Sequence, residues 1–252
     1  MTLLKYYENE EFSFEINDHS FVTIMGTGNK RIISNLVNLK EKTITIGNKI
    51  MNKKNINYYR SKMGFILNDH MNIFTSETVE DELAYGLENM GVKSSVMHER
   101  VLESSVRFNL DSIFNTDPRF IGSSKQVLVK IAASLLLKPR ILVLDNILDE
   151  LDKNDKELVI KYLIEYIKEG NTVLNFTSNI EDSLYSNYMM LTDKNKILAF
   201  GKTISILKEE KLMKRLGFSL PFIFDLNTQL MYYGLIDSYH LKESELVSKL
   251  WK

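Results

Sequence analysis

Polar and apolar positions alternate from Glu11 to Ile16, and a compact apolar run follows from Phe21 to Met25. The pattern predicts two short strands, the second of them buried. The second run ends at Gly26-Thr27-Gly28. A helical pattern starts near Lys30, with Ile32, Ile33, Leu36 and Val37 on one side. A buried strand, a glycine turn and a helix form the context that a phosphate-binding loop requires.

Residues Thr43 to Ile46 and Met63 to Leu67 read as further strands. Thr78 is a good N-cap, and Glu80, Asp81 and Glu82 suit the first turn of the helix it starts. That helix stops near Gly91, another covers Ser95 to Phe108, and Ser123 or Ser124 caps a third that runs to Leu137. Ile141 to Leu144 is a short apolar strand that ends in Asp145. A helix from Lys153 to Lys168 closes at Gly170. Thr172 to Phe176 is again a strand, Met189 to Leu191 with Lys196 to Phe200 form a hairpin, and the chain is mainly helical beyond about 205. Strands alternating with helices predict an α/β fold around a mostly parallel sheet, with a helical lobe inserted over about 72–138.

Composition narrows the functions. The 252 residues are 44% hydrophobic and 26% charged with a net charge of −1, which gives no electrostatic footprint for nucleic acid. The absence of cysteine excludes disulfides and thiolate chemistry. His19, His70, His98 and His240 are scattered and show no spacing of a metal pair. The most apolar stretch, Ile131 to Leu144, is broken by Lys138, Pro139 and Arg140 and falls short of the roughly 18 residues of a spanning helix. With no leader-like start in MTLLKYYENE, the expected place is the cytoplasm, or the inner face of the membrane where a partner holds the chain there.

The segment Lys138-Pro-Arg-Ile-Leu-Val-Leu-Asp145 resembles the Walker B strand of ABC ATPases, and Leu151-Asp152 resembles their D-loop. Gln126 to Leu137 stands where the signature helix belongs, and Gly64-Phe-Ile-Leu-Asn68 where the Q-loop strand belongs. The run from Asn72 to Gly91 and the tail Leu216-Gly-Phe-Ser-Leu-Pro221 resemble the ATP-binding subunits of energy-coupling factor (ECF) importers. The resemblance covers nearly the whole chain. It implies a P-loop NTPase fold with an ABC-type core over 1–204, the helical lobe at 72–138, and a small C-terminal helical extension over 205–252. It further implies ATP and Mg2+ as cofactors, a second ATP-binding subunit in a head-to-tail dimer, and an integral membrane transporter subunit.

Against that pattern the motifs are degenerate. A working Walker A, G-x-x-x-x-G-K-S/T, wraps phosphates with backbone N–H groups and binds magnesium through its hydroxyl. Here only Thr27, Gly28 and Asn29 separate Gly26 from Lys30, so the loop is two residues shorter. Arg31 stands at the hydroxyl position and is expected to put a cation at the metal site; Lys30 and the helix N-terminus either still attract an anion or form a plain turn. Asp145 keeps the metal-binding carboxylate, while Asn146 replaces the general-base glutamate, Ser178 the switch histidine and Asn68 the Q-loop glutamine. Asn68 acts through water or caps a turn. The signature appears as Ile121-Gly122-Ser123-Ser124-Lys125, with Lys125 either adding charge or solvated. Tyr6 or Tyr7 is the candidate for stacking on adenine, expected just before the first hairpin, with packing on a sheet edge as the alternative. These changes imply an ATPase that is weak or inactive alone and that pairs with an active subunit, or a regulatory scaffold that has lost nucleotide.

Overall fold

Two sheets share one core with a helix. The computed structural model describes residues 1–41, 43–68 and 74–251. The chain opens with β1 (Thr2–Asn9), β2 (Phe12–Asn17) and β3 (Phe21–Gly26), followed by α1 (Asn29–Val37). Next come β4 (Ile44–Ile46), β5 (Lys49–Ile50), the short helix α2 (Ile56–Arg60) and β6 (Met63–Ile66). Helices α3 (Val79–Asn89), α4 (Ser94–Arg107) and α5 (Ser123–Leu136) precede β7 (Ile141–Asp145), α6 (Lys153–Lys168) and β8 (Thr172–Phe176). The hairpin β9 (Tyr188–Asp193) and β10 (Lys196–Lys202) leads into α7 (Thr203–Leu207), α8 (Glu210–Arg215), α9 (Phe222–Tyr232) and α10 (Glu243–Leu250).

Four strands form an antiparallel sheet in the order β2-β1-β4-β5, and six form the order β10-β9-β3-β8-β7-β6. In the larger sheet only the β9–β10 pair is antiparallel. Side chains along its inner strands divide between two cores, as the period of two requires. Val22, Ile24, Ile141, Val143, Leu174 and Phe176 face α1 and, beyond it, the antiparallel sheet. Phe21, Leu142, Leu144 and Val173 face α5 and α6. Burial on both faces explains why β7 reads as an unbroken apolar run.

Helices α3 and α5 pack together, Val79, Leu83 and Leu87 meeting a core that includes Leu128, Ile131 and Leu135. Thr78 caps α3: its hydroxyl accepts from the Asp81 N–H at 3.1 Å and donates to the Asp81 carboxylate at 2.6 Å. The C-terminal helices are rooted in the sheet, since Ile206, Leu207, Met213 and Phe224 cluster with Met25, Met189 and Leu191. Among the described residues no helix is long and apolar enough to cross a membrane.

Two expectations are corrected. The first strand is β1, which the pattern reading passed over because only Leu4 and Tyr6 of Thr2–Asn9 are fully inward-facing. Tyr6 and Tyr7 therefore lie inside the first hairpin, not before it. Neither Ser123 nor Ser124 caps α5; both lie inside the helix, and its N-cap is Gly122, which has no side chain to cap with.

Replacing Thr78 with Ala is expected to lower stability by about 1 kcal/mol, the usual worth of a side-chain N-cap, measured by urea unfolding.

Candidate functional site

Parallel strands β3, β8, β7 and β6 are neighbours, so the segments leaving their carboxyl ends line one edge of the sheet. That edge is where open α/β sheets place ligands. It brings together Gly26–Arg31, Thr177–Ser178, Asp145–Asn146 and Asn68.

The short loop after β3 is folded onto β9. Gly26 has φ +122°, and a side chain there would overlap the Thr192 carbonyl. The Gly28 N–H donates to Thr192 Oγ1 at 3.3 Å, and the Thr27 hydroxyl donates to Asp193 Oδ1 at 3.0 Å. Asn29 is tied back as well: its amide donates to the Ile24 carbonyl at 3.0 Å and accepts from Thr192 Oγ1 at 3.3 Å. The Lys194 N–H and the Thr27 hydroxyl hold the Asp193 carboxyl below its ordinary pKa. The N–H of Gly28 and the hydroxyl of Thr27, both part of the loop, are thus already paired within the chain.

The charge of Arg31 is engaged within the chain. Its guanidinium lies 3.2 Å from Glu8, donates to Asn195 at 3.0 Å and stacks 4.3 Å over the Phe12 ring. The ion pair and the aromatic face draw it toward the β1–β2 hairpin, and the charge that acts on Asp145 is that of Lys30. Lys30 is exposed. Among the described residues no group of three or more His, Cys, Asp or Glu side chains is placed to hold a metal ion.

Asp145, Asn146 and Ser178 form one hydrogen-bonded unit. Asn146 sits in the left-handed region at φ +50°, a conformation that asparagine tolerates better than most residues. Its N–H donates to the Phe176 carbonyl at 2.7 Å, which anchors the turn. Its side-chain amide donates to Asp145 Oδ1 at 3.1 Å and accepts from the N–H and hydroxyl of Ser178 at 3.0 and 3.3 Å. Burial raises the Asp145 pKa, opposed by the Asn146 hydrogen bond and the Lys30 charge. Asn146 and Ser178 are therefore bonded to each other across 32 residues of sequence.

The segment Ile121–Lys125 is engaged within its own chain. Ile121 packs on the lobe core, and Gly122 and Ser123 are exposed. Ser124 donates to Asp155 Oδ2 at 2.6 Å, and Lys125 pairs with Asp155 Oδ1 at 2.9 Å. Lys125 is not a solvated lysine, because a buried carboxylate one helix away requires its charge. Asp152 is the N-cap of α6, accepting from the Asp155 N–H at 2.9 Å.

Sequence reasoning missed Thr192, Asp155 and a further network. Lys156 pairs with the buried Asp182 at 2.8 Å and with Asp149 at 3.4 Å, and Thr177 donates to Asp182 at 2.8 Å. Burial works against the Lys156 ammonium, but the two aspartates hold its pKa above the ordinary value. A local signal existed for Asp155, three residues after a capping aspartate; none existed for Thr192, which is 164 residues from Gly28. Tyr6 is buried, its hydroxyl accepting from Asn35 at 2.6 Å, whereas Tyr7 is 56% exposed. Tyr6 is thereby unavailable for stacking on a base. Asn68 is half-buried beyond β6; His70, Asn72 and Ile73 lie outside the described residues.

No protein-family model matches the chain. Curated relatives do: the energy-coupling factor transporter ATP-binding protein EcfA1 of Lactobacillus delbrueckii is 27% identical, covering 96% of this chain and 90% of its own length. Its namesake in Listeria monocytogenes is 28% identical, covering 88% and 80%. Among solved structures, cbiO1 from Clostridium perfringens, part of the ABC transporter complex cbiONQ, superposes with a TM-score of 0.73 at 22% identity, covering 89% of this chain and 98% of that one. A dimeric ATP-binding cassette in a post-hydrolysis state with ADP and phosphate gives 0.65 at 20% identity, covering 80% and 97%. The fold is that of the ABC ATPases, and the chain is similar over nearly its whole length to ECF-type ATP-binding subunits.

The raised pKa of Asp145 has a signed consequence. Its contribution to stability is fully present below the ordinary carboxyl value of 3.8 and is lost as pH rises through the higher folded value. Asp145→Asn is expected to raise the melting temperature at pH 7 and to leave it unchanged near pH 3, by calorimetric scans at both values.

Proposed function

We propose that this chain is the nucleotide-binding subunit of a membrane importer of ECF type, with its own ATP hydrolysis impaired or lost. In this reading it works head to tail with a second, active ATP-binding subunit and docks on an integral membrane subunit at the cytoplasmic face. The similarity to energy-coupling factor ATP-binding proteins supports the importer assignment. One observation carries the loss of hydrolysis: the Asn146 amide, where a general base is needed, spends its oxygen on Ser178 and donates to Asp145. An amide does not accept a proton from water, and removing a positioned acid–base group slows a reaction by ~10²–10⁴-fold.

The cofactor fit points the same way. Asp145 offers one carboxylate to Mg2+, but the hydroxyl ligand is absent, and the loop N–H of Gly28 and the hydroxyl of Thr27 are bound to β9. MgATP binding is accordingly weakened or lost. A second reading, a scaffold that no longer binds nucleotide, is favoured by the pairing of Ser124 and Lys125 within the chain.

Calorimetric titration of the purified chain with ATP is expected to give no magnesium-dependent binding in the micromolar range; such binding would show that the short loop still cradles phosphate. Asn146→Glu with Ser178→His is expected to restore no hydrolysis, measured by phosphate release, while the loop remains short. Co-purification with a second ATP-binding subunit and a membrane subunit separates the importer from the scaffold, and isolation of the chain without either overturns the importer.

A further inference from the structure

The first turns of α5 and α6 meet around one carboxylate. Asp155 is 4% exposed and accepts from Ser124 Oγ and Lys125 Nζ. The Asp152 N–H donates in turn to Ser124 Oγ at 3.1 Å, and Asp152 Oδ1 accepts from the Asp155 N–H. Both carboxylate oxygens and the serine hydroxyl are therefore engaged. A carboxylate at this depth stays ionised only where it is paired and hydrogen-bonded, and losing one partner leaves an uncompensated charge. Helices α5 and α6 pack on the sheet through the same apolar core, and the cluster adds a polar tie between their first turns.

We propose that Asp155 is a built-in anion. It takes up Lys125, the one cation of Ile121–Lys125, and Ser124, one of the segment's two hydroxyls, both suited to meet a phosphate presented by an opposing subunit, and it ties the first turn of α5 to that of α6. The anion-binding capacity of these two groups is satisfied internally, and the segment offers a partner only the exposed Gly122 and Ser123. The identity of that opposing phosphate rests on the functional reading above; the occupation of Ser124 and Lys125 does not.

The test uses the full chain, isotope-labelled and without partners, titrated with inorganic tripolyphosphate while the amide resonances of Ser123, Ser124 and Lys125 are followed. In the unmodified chain these resonances are expected to stay in place. In Asp155→Asn, which keeps the shape and removes the charge, they are expected to shift, with binding at least about tenfold tighter. Equal shifts in both proteins overturn the proposal, and so does the absence of shifts in the variant. Independently, Lys125→Met is expected to raise the unfolding equilibrium constant at least about tenfold at pH 7, and to lose that deficit once Asp155 is also Asn. An equal deficit in both backgrounds overturns the clamp. Neither measurement involves ATP hydrolysis or a second subunit, so failure of the importer reading leaves both results interpretable.

Discussion

Strand β3 is paired on both edges, buried on both faces, and ends at a residue with no room for a side chain. Its neighbours β9 and β8 fix its register, and the close approach of Gly26 to the Thr192 carbonyl fixes the direction in which the chain leaves the sheet. Helix α1 begins three residues later and fills the space between the two sheets with Ile32, Ile33 and Leu36. A turn this short lies against β9, where Thr192 and Asp193 satisfy its polar groups.

The loops at the same edge are held by carboxylates, each hydrogen-bonded by other side chains. Asp145 takes the Asn146 amide, Asp182 takes Lys156 and Thr177, and Asp155 takes Ser124 and Lys125. Partly or fully withdrawn from water, a charged carboxylate left without such partners costs several kcal/mol, a large share of a fold's net stability. The pairs therefore do structural work: they connect the segment after β7 to the one after β8, and the lobe helix α5 to α6.

Much of this was legible in the sequence. Residues Ile141 to Leu144, Lys153 to Lys168 and Thr172 to Phe176 announce their elements because each pattern is set by burial within a single segment. The cap at Thr78, the strand that ends in Asp145 and the shortness of the Gly26–Lys30 loop are likewise local facts. Strand β1 was not legible, because two inward residues make too weak an alternation; its strand character comes from pairing with β2 and β4.

What only the tertiary structure decided is where the polar side chains turn. Arg31 follows Glu8 and the Phe12 ring; Lys125 follows Asp155; the loop after β3 follows Thr192. Each choice depends on a partner 19 to 164 residues away, delivered by sheet order and helix packing. Hydrophobic periodicity is a property of a segment and survives in the one-dimensional string, whereas a hydrogen bond or ion pair is a property of two positions in space, and the string does not contain their distance.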